Sequence, residues 1–453
     1  MGIFGALNAA VSGLRAQSTA LENISGNIAN SQTTAYKRVD TAFADLVSSA
    51  TSAIRAQKAG TVLASARFTN TVQGAIEARS NATYLAINGD GYFAVQEKTS
   101  ELDGKAVFGG NDMFTRRGDF TIDREGYLVN GAGYYLKGFP VDATTGNITG
   151  SLSEVIQIEN DFLPAEKTTE ITYRANLPSA PLTSSGNTTL DADAVGTAMI
   201  GNDIAADDET DFLARSVTGG AVTIYDDNGT PVSVQIRWAK TTESPNDTWN
   251  MYYLSDSDAT GASTKWTAVN DSGTVTDFVF DSSGTLTSPA SSTTTMSTLT
   301  VDGTAMGDLE LNIGTGGVTQ FDDSNGVVQV TSISQDGSAP GEVVDIAITD
   351  AGRVVANYTN GKTVDLAEIP LYYFNADSQL KRNDGGAFEP TQGSGIPIVG
   401  ATGSIISSAL EGSNTDIADE FSKLIVTQQA YSANTRIIST SDEMLQEALN
   451  MIR

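Results

Sequence analysis

Residues 3–30 run IFGALNAAVSGLRAQSTALENISGNIAN, and their apolar positions recur every seven residues. One seam position holds Leu7, Leu14, Leu21 and Ile28; the other begins with Phe4 and Val11 and turns polar at Ser18 and Ser25. That spacing predicts a helix carrying a coiled-coil-like stripe and few charges. The far end repeats the pattern with Ile417, Leu424, Tyr431, Ile438, Leu445 and Ile452, while Phe421, Gln428, Thr435, Asp442 and Leu449 fill the second position less strictly. This helix is expected to start near Asn414–Asp416, whose side chains can cap orphan N–H groups. Two such stripes must be buried. Either they form a hairpin that closes one globular fold, or they pair with each other and with neighbouring subunits. Ala9, Ala10, Ser12, Gly13, Ala16 and Ser18 leave the first helix smooth on several faces, which suits crowding by more than one partner.

Composition narrows the chemistry. The 453 residues include no cysteine and no histidine, so Ser-His-Asp and Cys-His catalysis, disulfides and thiolate metal sites are excluded. Against 26 basic residues stand 55 acidic ones, a formal charge of −29 that repels a polyanion and argues against nucleic acid. No run of 18 apolar residues exists, so no membrane insertion is expected. The first 30 residues lack the basic-then-apolar order and cleavage site of a secretory signal, although the low charged fraction of 18% and the Ser/Thr/Asp-rich stretches look like those of a secreted β protein.

Between the ends the signals are β-type. Tyr84–Gln96 alternates on either side of a turn at Asn88-Gly89-Asp90-Gly91. Hairpins are expected over Phe114–Asn130 (turn at Asp123–Gly126) and Ala221–Trp238 (turn at Asp227–Gly229). Two more are expected over Val343–Tyr358 and Lys362–Phe374, turning at Asp350–Gly352 and Asn360-Gly361. Pro181–Thr230 carries nine acids and one base, Arg215, and reads as exposed and irregular from about Leu182 to Asp211; Ser282–Ser297 reads as a Ser/Thr-rich loop.

Candidate chemistry is thin. The Asp207–Asp211 acids lack the EF-hand order of alternating acids, central glycine and terminal glutamate, so a solvated acidic loop is the preferred reading. Asn88–Gly91 has no lysine or helix after it and is turn chemistry rather than a phosphate cradle. Lys37-Arg38 reads as a solvated turn. Carboxylate pairs are too many for a glycosidase dyad to be picked out. No constellation supports catalysis, cofactor binding or a metal site. The expected fold class is multidomain α+β, with the terminal coiled-coil-like helices packed together and mainly-β, barrel- or sandwich-like middle domains.

Asn27-Ile28-Ala29-Asn30-Ser31-Gln32-Thr33-Thr34-Ala35-Tyr36-Lys37 resembles the signature of the rod and hook family of bacterial flagellar axial proteins. That signature usually has glycine before the aromatic residue; this chain has Ala35, which disfavours a positive φ there. Leu85–Phe93, Phe114–Phe120 running to Gly126–Asn130, Gln429–Asn434 and Asp442–Leu445 are similar to further family stretches. Gln335-Asp336-Gly337 and the Thr223–Gly229 hairpin, with Asp247-Thr248-Trp249, resemble features of the hook branch, and the length exceeds that of rod subunits. The likeness covers roughly 1–177 and 318–453; over 178–317 the one hairpin supports it.

The resemblance implies a structural subunit that polymerises into a short curved tube, carrying torque from rod to filament as a universal joint. It implies residues 1–30 and 415–453 as a helical inner-tube domain, 31–74 and 396–414 as connecting segments, 75–177 and 318–395 as a β-rich core, and 178–317 as an inserted β-rich outer domain. Implied partners are further copies of the chain, the distal rod protein, the hook cap protein, the hook–filament junction proteins and the flagellar type III export apparatus, with an extracellular location reached without a cleaved signal. The seam residues Leu7, Leu14, Leu21, Ile28, Ile417, Leu424, Tyr431, Ile438 and Leu445 are the candidate assembly residues. Asn27, Ile28, Ala29, Asn30, Tyr36, Lys37, Gln335, Asp336 and Gly337 are the family-motif residues. A rod or hook–filament junction subunit is the alternative within the family; a secreted β-rich adhesin and a carboxylate-based hydrolase are the alternatives outside it.

Overall fold

The structure, a computed structural model, describes residues 3–46, 61–102, 105–143, 145–159, 162–185, 202–242 and 247–451. The side chains of Phe4 and Leu449, the residue Ile452, and residues 186–201 of the acidic stretch lie outside that description. The chain divides into two compact units, one of residues 1–160, 344–357 and 363–453, the other of residues 161–343 and 358–362.

In the first unit the heptad segments are helices α1 (Ile3–Ala29) and α3 (Ile417–Met451). Asp416 caps α3: its Oδ1 accepts the N–H groups of Ala418 at 2.8 Å and Asp419 at 3.3 Å. After α1 comes a long antiparallel hairpin, Val39–Leu46 with Thr61–Phe68, inside what reads from sequence as connecting chain. It packs on α1. The β core is a sheet whose main path runs Val343–Ile348, Arg353–Tyr358, Thr363–Glu368, Tyr134–Pro140, Tyr92–Leu102, Met113–Thr115, Ala387–Glu389 and Lys381–Arg382. The three strands on either side of Asp350–Gly352 and Asn360-Gly361 therefore form a meander. Its interior includes edge-to-face rings, with Phe374 centred 4.9 Å from Phe114 and 5.9 Å from Tyr92.

In the second unit a seven-stranded sheet includes the hairpin Val217–Tyr225 with Pro231–Thr242, and a five-stranded sheet is built around Glu170–Asn176. Side chains of both enclose one core that includes Tyr173, Ile224, Trp238, Trp249, Phe278, Leu299 and Leu311. Alternation is clear in Val217–Tyr225, where Val222 and Ile224 point inward and Thr223 outward. Hairpin ends across both units share one device. Asp123, Asp226 and Asp281 each accept two N–H groups, two and four residues on, and a glycine at positive φ lies three residues on.

The strands on either side of the Asn88–Gly91 turn do not pair with each other: Leu85–Asn88 pairs with Ser404–Ser407, and Gly89 and Gly91 take positive φ between them. Two expectations are corrected. Ser282–Ser297 is not a loop throughout: Leu286–Ser288 and Thr293–Val301 are strands, since threonine suits the pleat and Met296, Leu299 and Val301 fill the core. The Asp207–Asp211 acids start a short helix, α2 (Glu209–Arg215), which buries Phe212 against Tyr252 and Trp266, while Glu209 pairs with Lys265 at 2.9 Å. Acids in a first turn complement the helix dipole.

All three tryptophans (Trp238, Trp249, Trp266) lie in the second unit, so tryptophan fluorescence reads that unit alone. Buried Tyr173 donates to Gly219 O at 2.8 Å and accepts from Trp238 Nε1 at 3.0 Å. Tyr173→Phe leaves both groups unpaired and is expected to destabilise this unit by about 1–3 kcal/mol in fluorescence-detected denaturation.

Candidate assembly site

α1 packs against α3 through its small residues. Ala10, Gly13, Ala16, Ala20, Ile24 and Asn27 are its buried positions. A Cβ on Gly13 would stand 2.9 Å from the Asn434 amide nitrogen, so glycine permits the approach. Two turns away from Asn434 along α3, Thr427 is buried, and Glu420 accepts a 3.0 Å hydrogen bond from Asn27 Nδ2. The helices are therefore antiparallel, with Gly13, Ala20 and Asn27 facing Asn434, Thr427 and Glu420, all spaced by seven. On α1 the intrachain contact thus uses the heptad position one residue before the apolar seam, about 100° around the helix. Leu7, Leu14, Leu21 and Ile28 remain half-buried, as do Leu424, Ile438 and Leu445, while Ile417 and Tyr431 are exposed.

Beyond Tyr431, α3 carries an exposed apolar set: Phe421 is 50%, Ile425 53% and Val426 65% exposed, and Ile437 and Met444 are exposed as well. Phe421 and Ile425, four residues apart, share one stripe of the helix, and Ile437 and Met444, seven apart, share another.

The family motif forms a joint where both chain ends meet the β core. Asn27 is its hub: besides Glu420, its side chain donates to Val39 O at 3.0 Å and accepts from Val39 N at 2.9 Å and Tyr36 Oη at 3.3 Å. Asn30 donates to Gly26 O at 2.9 Å and closes the helix end; Ala29 beside it is exposed. Ala35 adopts φ 55°, so the left-handed conformation that glycine would ease is present with a Cβ on it. Tyr36 lies under the Arg382 guanidinium, 5.4 Å from the ring centroid.

Lys37 is not in a solvated turn. It is fully buried, and its Nζ lies 2.5 Å from Glu411 Oε1 and 2.8 Å from Val72 O. Glu411, also fully buried, accepts the Gly74 N–H at 2.8 Å, and its carbonyl accepts the Ala35 N–H at 2.8 Å. Burial pulls the Lys37 ammonium down to about 8, against the attraction of Glu411, which holds it up. Because that value lies below the unfolded one, this group's contribution to stability grows as pH rises from about 8 towards the unfolded lysine value, and is lost on the way back down. The partner sits 374 residues along the chain, and nothing local to Lys37 in sequence points to it.

Gln335-Asp336-Gly337 is a separate structural pin in the second unit. Gln335 Oε1 accepts from Thr168 Oγ1 at 2.9 Å and from Gly337 N at 2.5 Å; Asp336 accepts from Thr169 N and Oγ1 and from Glu170 N. Partial burial raises the Asp336 carboxyl, but those donors outweigh it and hold it below the usual range. Among the described residues no group of acids is placed to hold a metal ion, and no helix is long and apolar enough to cross a membrane.

Removing one member of a buried ion pair strands the other. Lys37→Met is expected to cost about 3–5 kcal/mol, and the double change Lys37→Met with Glu411→Gln less than that. Amide exchange in the Ile76–Ala78 and Ala409–Glu411 ladder checks both; equal costs for single and double variants contradict the pairing.

Four family models match successive parts of the chain. The flagella basal body rod protein model matches residues 7–37, the flagellar hook protein FlgE/F/G D1 domain 86–175, the flagellar basal body protein FlaE D2 domain 189–338, and the flagellar basal body rod FlgEFG protein C-terminal model 406–451. Flagellar hook protein FlgE of Brucella suis biovar 1 (strain 1330) is 31% identical over the whole of both chains. That of Rhizobium meliloti (strain 1021) is 28% identical over the whole of both chains, and that of Escherichia coli (strain K12) 27% identical over 98% of this chain and all of its own. Matched end to end at that identity, with rod-family models on both terminal segments and hook-family models between, the chain belongs to the flagellar hook protein FlgE family, the structural subunits of the bacterial flagellar hook.

Proposed function

We propose that the chain polymerises through its terminal helices into a short curved tube, in which α1 and α3 of neighbouring copies pack side by side as an inner helical layer. The observation that carries this reading is the apolar surface left over once the two helices have met. The intrachain contact consumes the small and polar repeat, so the Leu7, Leu14, Leu21 and Ile28 seam, together with Ile417, Leu424, Tyr431, Ile438 and Leu445, keeps area for other copies. Phe421, Ile425 and Ile437 add to it. Fully burying one such side chain contributes about 1.5–3 kcal/mol.

The tube transmits torque from rod to filament while bending as it turns. Bending closes subunits up on the inside of the curve and spreads them on the outside, which needs polar, wet contacts that slide, over an apolar layer that does not. The Ser/Thr/Asp-rich surface of residues 161–343 fits the sliding part. The partners of such a subunit are its own copies, the distal rod protein, the hook cap protein and the junction proteins. Passage through the flagellar type III export apparatus, without a cleaved signal peptide, suits a chain that has no cysteine to cross-link.

Ile425→Asp and Tyr431→Asp change exposed positions, so the isolated chain is expected to keep the wild-type far-UV circular dichroism of its helices. Each is expected to raise the concentration needed for sedimentable polymer more than tenfold. Polymer at the wild-type concentration from both variants contradicts the reading.

A further inference from the structure

The joint at Lys37 leaves several polar atoms without a protein partner. Arg116 is 2% exposed, Tyr92 and Asn70 are 1% exposed, and Glu411 is fully buried. Among the described residues no protein atom hydrogen-bonds to Arg116 Nε or Nη1, Tyr92 Oη, Glu411 Oε2, Asn70 Oδ1 or Asp377 Oδ1. These groups share one neighbourhood, since the charges of Arg116 and Glu411 act on the Tyr92 hydroxyl and that of Arg116 acts on the Asp377 carboxyl as well. Arg116 Nη1 stands 3.7 Å from Glu411 Oε2, too far for a hydrogen bond; the guanidinium carbon is 5.3 Å from the Tyr92 ring centroid; Asn70 Nδ2 donates to Asp377 O at 2.9 Å. Arg116 is already anchored by its Nη2, which donates to Gly89 O at 2.8 Å, so it cannot swing to satisfy the rest.

Buried polar atoms without partners are costly, and a set of them in one place calls for a ligand. The mixture of types identifies it. An anion would suit the Arg116 donors and the nearby Lys37 but would face the free oxygens of Glu411 and Asp377. A cation would suit those oxygens but face the guanidinium. A molecule that both donates and accepts, carries no charge and is small enough for a buried site satisfies both halves.

We propose that Arg116, Tyr92, Glu411, Asp377 and Asn70 enclose a site for internal water, which bridges the guanidinium to the two carboxylates. The chain ends are then fastened to the β core by one direct ion pair, Lys37–Glu411, and one solvent-bridged pair, Arg116–Glu411. The bridged half adapts its geometry by moving water rather than side chains, and the direct half fixes position. The inference stands on the geometry of a single chain and does not depend on polymerisation.

Two measurements test it on the full chain. A crystallographic or cryo-EM map that resolves ordered solvent is expected to show peaks within hydrogen-bonding distance of Arg116 Nε, Arg116 Nη1 and Tyr92 Oη. An ion in their place, or Arg116 in direct contact with both carboxylates and no solvent, overturns the proposal. Tyr92→Phe removes only the hydroxyl. If that hydroxyl holds water, amide exchange in Leu85–Asn88 and Tyr92–Leu102 is expected to quicken about fivefold. Unchanged or slower exchange means that the hydroxyl is dry and unpaired, and also overturns it, since deleting an unsatisfied buried group costs nothing.

Discussion

A lysine and a glutamate with no access to solvent, 374 residues apart, close the first unit of this protein. Neither charge tolerates burial alone, so the segment after α1 and the segment before α3 order together or not at all. What surrounds the pair follows from it. Gly74 N–H and the Val72 carbonyl complete the coordination, Ala35 is held in a left-handed conformation by its bond to the Glu411 carbonyl, and Asn27 ties the end of α1 to the start of α3. An apolar pair of similar volume would bury at less cost, so the ionic pair is better understood as setting position than as adding stability.

Fixing the ends in this way leaves the helices two tasks on two faces. On the inner face a seven-residue repeat of small and polar side chains lets α1 and α3 approach closely, down to a glycine against an asparagine amide. On the remaining faces larger apolar side chains stay half-buried or exposed. A helix pair that spent its large residues on its own contact would be more stable alone and less able to join others. Here the division runs the other way, as a subunit of a hook-family polymer requires.

Much of this was legible in the sequence, and the failures have physical causes. The helices announced themselves by period, and Asp416 by its place before the first apolar repeat. The hairpins turning at Asp123–Gly126 and Asp227–Gly229 were marked by an aspartate and a glycine, although Asp226, one residue before the expected turn, accepts the N–H groups of the second. The face of α1 used within the chain was harder to see, because Gly13 and Ala20 look like spacers when hydrophobicity is the only signal. The Ser/Thr-rich strand at Thr293–Val301 was hidden by composition, since threonine serves loops and pleats alike. In sequence Lys37 reads as solvated because a lone lysine usually is; only a partner supplied by the far end of the chain reverses that. The motif residues at Gln335–Gly337 were found by resemblance, and their role as a pin on Thr168 and Thr169 needed coordinates.

The most direct test of the account is a map of the assembled tube in which side chains are resolved. The account predicts Phe421, Ile425, Tyr431 and Ile437 buried against helices of adjacent copies, with Gly13 still facing Asn434 and Lys37 still on Glu411 within each copy. Those four side chains facing solvent in the polymer, or α1 and α3 parted from each other to make the intersubunit contacts, would contradict it.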